Sequence, residues 1–108
     1  MSIELKITAA NFDSETKEGV TLVDFWAPWC GPCRMQGPIL EKVETKVNGK
    51  AKIGKCNVDE ERALALKFNV QSIPTLIIFD GSKEVDRMVG VQQENVLVDK
   101  LTKQAATT

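Results

Sequence analysis

Histidine is absent from the sequence, and only 3 of its 108 residues are cysteine. A zinc site made of cysteine and histidine needs four ligands, so one chain alone cannot complete it. Attachment of a c-type haem requires a histidine directly after a Cys-x-x-Cys pair, and this chain has Arg34 at that position. These absences exclude both sites within one chain, and they leave open only a metal or iron–sulfur cluster shared between chains.

An excess of charge of one sign and a long hydrophobic run are also absent. The chain carries 14 basic and 15 acidic residues, so no basic surplus attracts it to nucleic acid or anionic lipid. Residues 1–6 lack the basic start and apolar middle of a signal peptide, and no apolar stretch approaches the roughly 18 residues of a membrane span. We therefore expect a cytoplasmic protein that binds neither nucleic acid nor membrane.

The length and apolar content favour one domain over residues 1–108. With 43% hydrophobic residues, a chain of this size buries roughly 65% of its unfolded surface, which is enough for one core but not for two. Apolar spacing predicts strands near residues 2–7, 20–26, 51–58, 75–79 and 84–89, and helices near 8–18, 30–47, 59–68 and 96–101. This order predicts a mixed α/β domain with helices on both sides of a sheet. The side chains expected in the core of the first two helices are Phe12, Met35, Ile39, Val43 and Val47.

Cys30 and Cys33 lie between the apolar run 20–27 and the helix predicted after it. A helix start offers free N–H groups and a partial positive charge, so a thiol there loses its proton more easily than a thiol in water. The thiolate is the species that attacks a disulfide. The position therefore predicts a redox site, with Cys30 as the exposed nucleophile and Cys33 as the more buried resolving thiol.

A static disulfide is the alternative for this pair. Closing a loop of four residues stabilises a fold by roughly 2 kcal/mol, whereas a bridge from either cysteine to Cys56 gives about 3.5 kcal/mol. A pair this close stabilises little, which favours the redox role. Cys56 lies in a predicted interior strand, where we expect it to act as a small hydrophobe, with a regulatory thiol as the alternative.

Asp24 is the one acidic residue in the apolar strand predicted at 20–26. A carboxylate is costly to bury in its charged form, so its pKa should be raised and the group can exchange protons near neutral pH. The alternative is a structural pair of Asp24 and Lys55 that plays no part in catalysis.

Taken together, the distinctive residues resemble one family. The motif Trp29-Cys30-Gly31-Pro32-Cys33, the preceding Asp24, and then Lys55, Ile73-Pro74-Thr75 and Gly90 follow the order and spacing of the thioredoxin family over essentially the whole chain. The resemblance implies the thioredoxin fold, a central five-stranded mixed sheet flanked by four helices. It also implies that Pro74 is cis and faces the dithiol, whereas the alternative is a proline that merely starts a strand.

The resemblance also implies a role for each site residue. Cys30 attacks the substrate disulfide, Cys33 resolves the mixed disulfide, and Asp24 assists proton transfer with Lys55 as its electrostatic partner. Gly31 and Pro32 tune the site. A flat apolar surface for the substrate would consist of Trp29, Val58, Ile73, Pro74, Gly90 and Val91.

The activity implied is that of a general protein-disulfide reductase, an electron carrier that acts on many disulfide-containing proteins. A thioredoxin reductase linked to NADPH or to ferredoxin would recharge it. No nucleotide-binding motif is present, so we expect the chain not to bind these cofactors itself. We also expect a monomer without metal, whose redox group is the Cys30–Cys33 disulfide. A disulfide oxidant or isomerase of similar fold and a non-catalytic binding subunit remain alternatives. Oxidants of this kind usually carry histidine between the cysteines, and Gly31-Pro32 favours the reductase.

Overall fold

The computed structural model of the chain describes Ile3 and residues 5–107. This part of the chain contains four strands and four helices, which alternate except that β4 follows β3 directly. In chain order the elements are α1 (Phe12–Thr16), β1 (Val20–Trp26), α2 (Gly31–Val47), β2 (Lys52–Asn57), α3 (Arg62–Lys67), β3 (Thr75–Asp80), β4 (Lys83–Val89) and α4 (Glu94–Ala106).

The four strands form one mixed sheet in the spatial order β2-β1-β3-β4. β1 and β2 are parallel, and α2 connects them because parallel neighbours need a crossover. β3 runs antiparallel to both β1 and β4. β3 and β4 form the predicted hairpin, whose turn contains Gly81 at φ 61°. The site lies where β1 ends and α2 begins.

The prediction of five strands is wrong for the described residues. In place of a strand at the start of the chain, Lys6 forms a single parallel bridge with Lys55. The Ile7 N–H donates to the Lys55 carbonyl over 2.9 Å, and the Lys55 N–H donates to the Leu5 carbonyl over 2.9 Å. One bridge does not make a ladder, although apolar alternation brings Ile7 into the core as expected. Ser2 and Glu4, which the prediction included, lie outside the described residues.

Alternate residues of β1 face two different apolar layers, because successive side chains of a strand point to opposite sides. Val20 and Leu22 belong to the layer that α2 and α4 cover, with Leu40 and Leu97 among its members. The opposite layer, under α1 and α3, consists of the buried side chains Ile7, Phe12, Val23, Phe25, Cys56, Leu64, Ile77 and Phe79. The central strand is therefore covered on both sides, as its apolar run predicts.

The buried stripe of α2 differs from the predicted one. Met35 is 65% exposed, so its prediction as a core residue is wrong, while Phe12 is buried in α1 as predicted. A step of four residues advances about 40° beyond a full turn, so a four-residue repeat drifts off one helix face within three steps. The residues of α2 that are buried are Cys33, Gln36, Leu40, Val43 and Val47.

Two helices also begin later than predicted. α1 starts at Phe12 because Thr8 and Asn11 instead form a turn, in which the Thr8 N–H donates to Asn11 Oδ1 over 2.7 Å. α3 starts at Arg62, so Asp59 does not cap it. These shorter helices leave the loops at residues 8–11 and 58–61 free to make side-chain contacts.

Candidate active site at the start of helix α2

Cys30 and Cys33 form a disulfide at the N-terminus of α2, with their Cα atoms 5.2 Å apart. Cys30 is the N-cap residue with an extended backbone (φ −89°, ψ 113°), and its sulfur accepts a hydrogen bond from the Cys33 N–H over 3.2 Å. Pro32 follows in the first turn, where a missing N–H costs no helical hydrogen bond. The helix start therefore directs an N–H group and the positive end of its dipole at the sulfur of Cys30.

Both sulfur-bearing residues are buried in this disulfide form. Cys30 is 5% exposed and Cys33 is 2% exposed, so the prediction of an exposed Cys30 is wrong. Ala27, Trp26, Val58 and Ile73 pack around them. Position on the helix, and not exposure, distinguishes the two cysteines.

The loop before β3 lies against the dithiol. The Cys30 sulfur is 3.8 Å from the Ile73 carbonyl oxygen. The Ile73–Pro74 peptide bond is cis. The carbonyl of Pro74 accepts a hydrogen bond from the Gly90 N–H over 2.8 Å, which joins this loop to the one that follows β4. Gly90 has φ 89°, a conformation that favours glycine.

Trp29 is the most exposed aromatic side chain near the dithiol, at 68% exposure. Its indole N–H donates to Asp59 Oδ2 over 2.8 Å, and the Asp59 N–H in turn donates to Asn57 Oδ1 over 2.9 Å. These bonds orient an exposed apolar ring from the loop after β2. Sequence reasoning missed this role of Asp59, because its position after a strand resembles that of a helix cap.

Asp24 is fully buried in β1, and neither of its carboxylate oxygens has a hydrogen-bond partner among the described residues. Burial raises the pKa of Asp24 to about 7, and the positive charge of Lys55 opposes this rise. Lys55 lies opposite Asp24 in the parallel register, and its Nζ sits 4.0 Å from the centre of the Trp26 ring. The direction of this shift is the one that the sequence predicts for a carboxyl group in an apolar strand.

Asp24 and Cys56 lie on opposite faces of the sheet. Asp24 follows Leu22 by two residues and so shares the face that α2 covers, whereas Cys56 belongs to the layer under α1 and α3. Burial is the main reason why the pKa of Cys56 rises to about 12, with further contributions from Glu61 and Asp24. The thiol of Cys56 is therefore neutral at physiological pH.

A second buried polar residue, Gln36, was not predicted. It lies on α2, and its side chain forms two hydrogen bonds with the backbone of Gln92 in the loop after β4. No sequence signal marks it, because a glutamine within a helix is usually on the surface.

Comparison with known proteins agrees with this geometry. The family model described as Thioredoxin matches residues 4–103. Thioredoxins of Staphylococcus aureus strains Mu50 and MW2 are each 50% identical over 99 residues, which cover 92% of this chain and 95% of theirs. A mutant thioredoxin from Halobacterium salinarum NRC-1 has a similar structure, with a TM-score of 0.85 and 34% identity over 94% of this chain and 89% of its own.

The chain belongs to the thioredoxin family. Together with the Cys30–Cys33 pair, membership makes it a dithiol–disulfide reductase, a thiol–disulfide oxidoreductase whose redox-active group is that disulfide. Disulfides are accordingly the substrates of this thioredoxin-family chain.

Within Ile3 and residues 5–107, no group of three or more His, Cys, Asp or Glu side chains is arranged to hold a metal ion. Across the same part of the chain, no helix is long and apolar enough to cross a membrane.

Proposed function

We propose that the chain reduces disulfides of other proteins with Cys30 as the nucleophile and Cys33 as the resolving thiol. The observation that carries this assignment is the Cys33 N–H directed at the Cys30 sulfur over 3.2 Å at the start of α2. A thiolate at that position accepts a charge-assisted hydrogen bond and lies at the positive end of the helix dipole. Both effects lower the pKa of the Cys30 thiol once the disulfide is reduced.

The proposed reaction has two exchanges. First, the Cys30 thiolate attacks one sulfur of the substrate disulfide, so that a Cys30–substrate bond forms and the other substrate sulfur leaves as a thiolate. Next, the Cys33 thiolate attacks the Cys30 sulfur, which forms the Cys30–Cys33 disulfide and releases the second substrate thiolate. Two electrons pass from the dithiol to the substrate, whose two sulfurs each take up a proton. The bonded pair in the structure corresponds to the oxidised product of this sequence.

Asp24 serves as the proton acceptor for Cys33 in the second exchange. The thiol of Cys33 must lose its proton before it attacks, and a carboxylate of pKa about 7 is matched to this transfer near neutral pH. Support comes from the position of Asp24 on the sheet face that α2 covers. Lys55, its neighbour in the register, is its electrostatic partner and limits the rise of the pKa of Asp24.

Protein substrates dock on the apolar surface around the dithiol. We define this docking surface by the residues Trp29, Val58, Ile73, Pro74, Gly90 and Val91. The exposure of the Trp29 ring and the contact of Ile73 with the Cys30 sulfur support it. Gly31 and Pro32, both exposed, form the turn that presents Cys30 to the substrate.

The partners follow from the same chemistry. The oxidised disulfide needs a donor of two electrons, and we assign this role to a thioredoxin reductase linked to NADPH or to ferredoxin. We also propose that the chain acts in the cytoplasm as a monomer on many protein disulfides, without a cofactor or metal of its own. The near-neutral balance of 14 basic and 15 acidic residues supports recognition through apolar contact rather than through charge.

Insulin reduction by three variants tests the assignment. Cys30→Ser and the double variant Cys30→Ser, Cys33→Ser should lose activity, whereas Cys33→Ser should accumulate a mixed disulfide that it cannot resolve. Activity of the double variant equal to that of the wild type would contradict a redox role and favour a non-catalytic binding subunit. Accumulation of the mixed disulfide by Cys30→Ser, and not by Cys33→Ser, would reverse the roles of the two cysteines.

The equilibrium potential of the dithiol against glutathione separates a reductase from an oxidant or isomerase. We expect a potential below the cytosolic glutathione poise, and each tenfold change in the equilibrium constant corresponds to about 30 mV for this two-electron couple. A potential above that poise would make the chain an oxidant.

A further inference from the structure

We propose that Gln36 is a positioning residue that fixes the loop of residues 90–92 to the helix carrying the dithiol, and so sets the shape of the docking surface for protein substrates. This inference rests on the proposed function of that surface. Gln36 is fully buried, which is unusual for glutamine and calls for satisfied hydrogen bonds.

Both polar atoms of the Gln36 side chain bind the backbone of a single residue. Its Oε1 accepts from the Gln92 N–H over 2.7 Å, and its Nε2 donates to the Gln92 carbonyl over 3.0 Å. A backbone N–H only donates and a carbonyl only accepts, so the two bonds define the orientation of the amide. The side chain therefore holds Gln92 in both position and direction.

Two further hydrogen bonds and one contact connect Gln92 with the dithiol. The Gln92 side chain donates from Nε2 to the Gly90 carbonyl over 3.1 Å, and the Gly90 N–H donates to the Pro74 carbonyl over 2.8 Å. The preceding residue, Ile73, places its carbonyl oxygen 3.8 Å from the first sulfur of the dithiol. Since Gln36 lies on the helix whose N-terminus carries that dithiol, these contacts form a closed ring that includes Ile73, Pro74 and Gly90 of the docking surface.

The loop depends on this ring because residues 91–93 belong to no helix or strand. In the strands, the hydrogen bonds of the sheet satisfy the backbone N–H and carbonyl groups. In this loop, the Gln36 side chain from α2 supplies the partners of both backbone groups of Gln92. Removing them leaves a partly buried N–H and a partly buried carbonyl of Gln92 without these partners, which is more costly than the loss of a fully exposed bond. The loop would then lose its defined position beside Pro74.

Gln36→Met tests this role, since methionine has similar length and helix propensity but makes neither bond. We expect kcat/KM for insulin to fall about fivefold to tenfold, mainly through a higher KM. Reduction of a small disulfide such as hydroxyethyl disulfide, and the equilibrium constant against glutathione, should change by less than about twofold, because neither requires the loop.

Thr16→Val is the matched control. Thr16 is also fully buried, and its hydroxyl bonds the Phe12 carbonyl over 2.7 Å and Ser82 Oγ over 3.0 Å. It adjoins the start of β1, whereas the dithiol follows its end. The control loses buried hydrogen bonds without disturbing the ring, and its KM for insulin should not rise.

Three results would overturn the inference: an unchanged KM for insulin in Gln36→Met, equal losses with insulin and the small disulfide, or the same rise of KM in Thr16→Val. Hydrogen exchange of the wild type is a second measurement that needs no variant. The Gln92 amide should be protected like the amides of β1, and exchange at the rate of an exposed loop would contradict the inference. If the wild type itself leaves insulin oxidised, the proposed function fails. The hydrogen-exchange result still shows whether Gln36 fixes the loop of residues 90–92.

Discussion

Buried cysteine or carboxyl groups lie both at the junction of β1 with α2 and within the strands β1 and β2. The junction stabilises a negative charge, whereas burial within the strands disfavours one. At the junction, the Cys30 sulfur accepts an N–H hydrogen bond at the start of a 17-residue helix. At the centre of the sheet, neither oxygen of Asp24 has a hydrogen-bond partner among the described residues. Burial raises the pKa of Asp24 to about 7 and that of Cys56 to about 12.

The difference teaches that exposure does not decide which thiol reacts. Cys30, Cys33 and Cys56 are all buried in the oxidised protein. Only the junction offers free N–H groups and the positive end of a helix dipole, which stabilise a thiolate. Burial within β1 and β2 instead favours the neutral forms of Asp24 and Cys56, so we expect proton transfer at Asp24 and no thiol exchange at Cys56.

The largest expected effect concerns the charge at the sheet centre. Folding raises the pKa of Asp24 from its ordinary value of 3.8 to about 7. Between these two pH values the carboxyl group of Asp24 keeps its proton in the folded protein and loses it in the unfolded chain. Linkage then lowers the free energy of unfolding as pH rises from about 4 to 7, by as much as about 4 kcal/mol in total. Asp24→Asn should abolish this loss and be more stable than the wild type at pH 8, as measured by urea unfolding.

The control for this prediction is Asp99→Asn, which changes an exposed carboxylate on α4. Its pH profile of stability should follow that of the wild type. If the stability difference between Asp24→Asn and the wild type were the same at pH 4 and pH 8, the pKa of Asp24 would not be raised by folding. The contrast between the two regions would then be wrong.

The proton-transfer role of Asp24 gives the next effect. Asp24→Asn should slow resolution of the mixed disulfide near neutral pH by about tenfold or more, because general-base assistance contributes at least this much in enzymes. Rapid-quench measurement of the mixed disulfide tests it. An unchanged rate would remove Asp24 from the mechanism and leave it a purely structural group.

A smaller effect is expected where Asp59 orients the Trp29 ring. Asp59→Ala removes the 2.8 Å bond from the indole N–H and should raise KM for insulin about twofold to fivefold with little change in kcat. Glu60→Ala is a control at the adjacent exposed position. A fall in kcat without a change in KM would show that Asp59 acts on the chemistry and not on docking.

The smallest effect is expected for Cys56, the buried thiol of β2. Cys56→Ala should change kcat/KM for insulin by less than about twofold, since a buried neutral thiol takes no part in exchange. The cavity left by the sulfur should reduce stability by about 1 kcal/mol. A large loss of activity with retained stability would assign Cys56 a redox role.

Local signals in the sequence predict the reacting groups of the site. The dithiol at a strand–helix boundary and the single carboxylate of an apolar strand are each marked by their immediate neighbours. The hydrogen bonds between Gln36 and Gln92 and between Trp29 and Asp59 join residues that are 56 and 30 positions apart. No pattern of residue spacing predicts them. Hydrogen bonds between side chains and partners that are distant in the sequence therefore escape sequence reasoning.

The same limit applies to the fold. The order of strands and helices follows from apolar periodicity, which is a local property. Whether residues 5–7 extend into a fifth strand depends on how much of the edge of β2 they pair with, and only Lys6 forms a bridge there. Similarly, the face of α2 that meets the core was misplaced by a repeat of four, which put Met35 in the core and omitted Gln36.

Alkylation of the reduced protein by iodoacetamide as a function of pH tests the contrast between the regions most directly. Peptide mapping would follow modification of Cys30 and Cys56 in the same sample. We expect the Cys30 rate to titrate with a pKa below the value of about 8.5 for a free thiol, while Cys56 stays unmodified until the chain unfolds. A pKa of Cys30 at or above about 8.5, or modification of Cys56 at a comparable rate, would contradict the account.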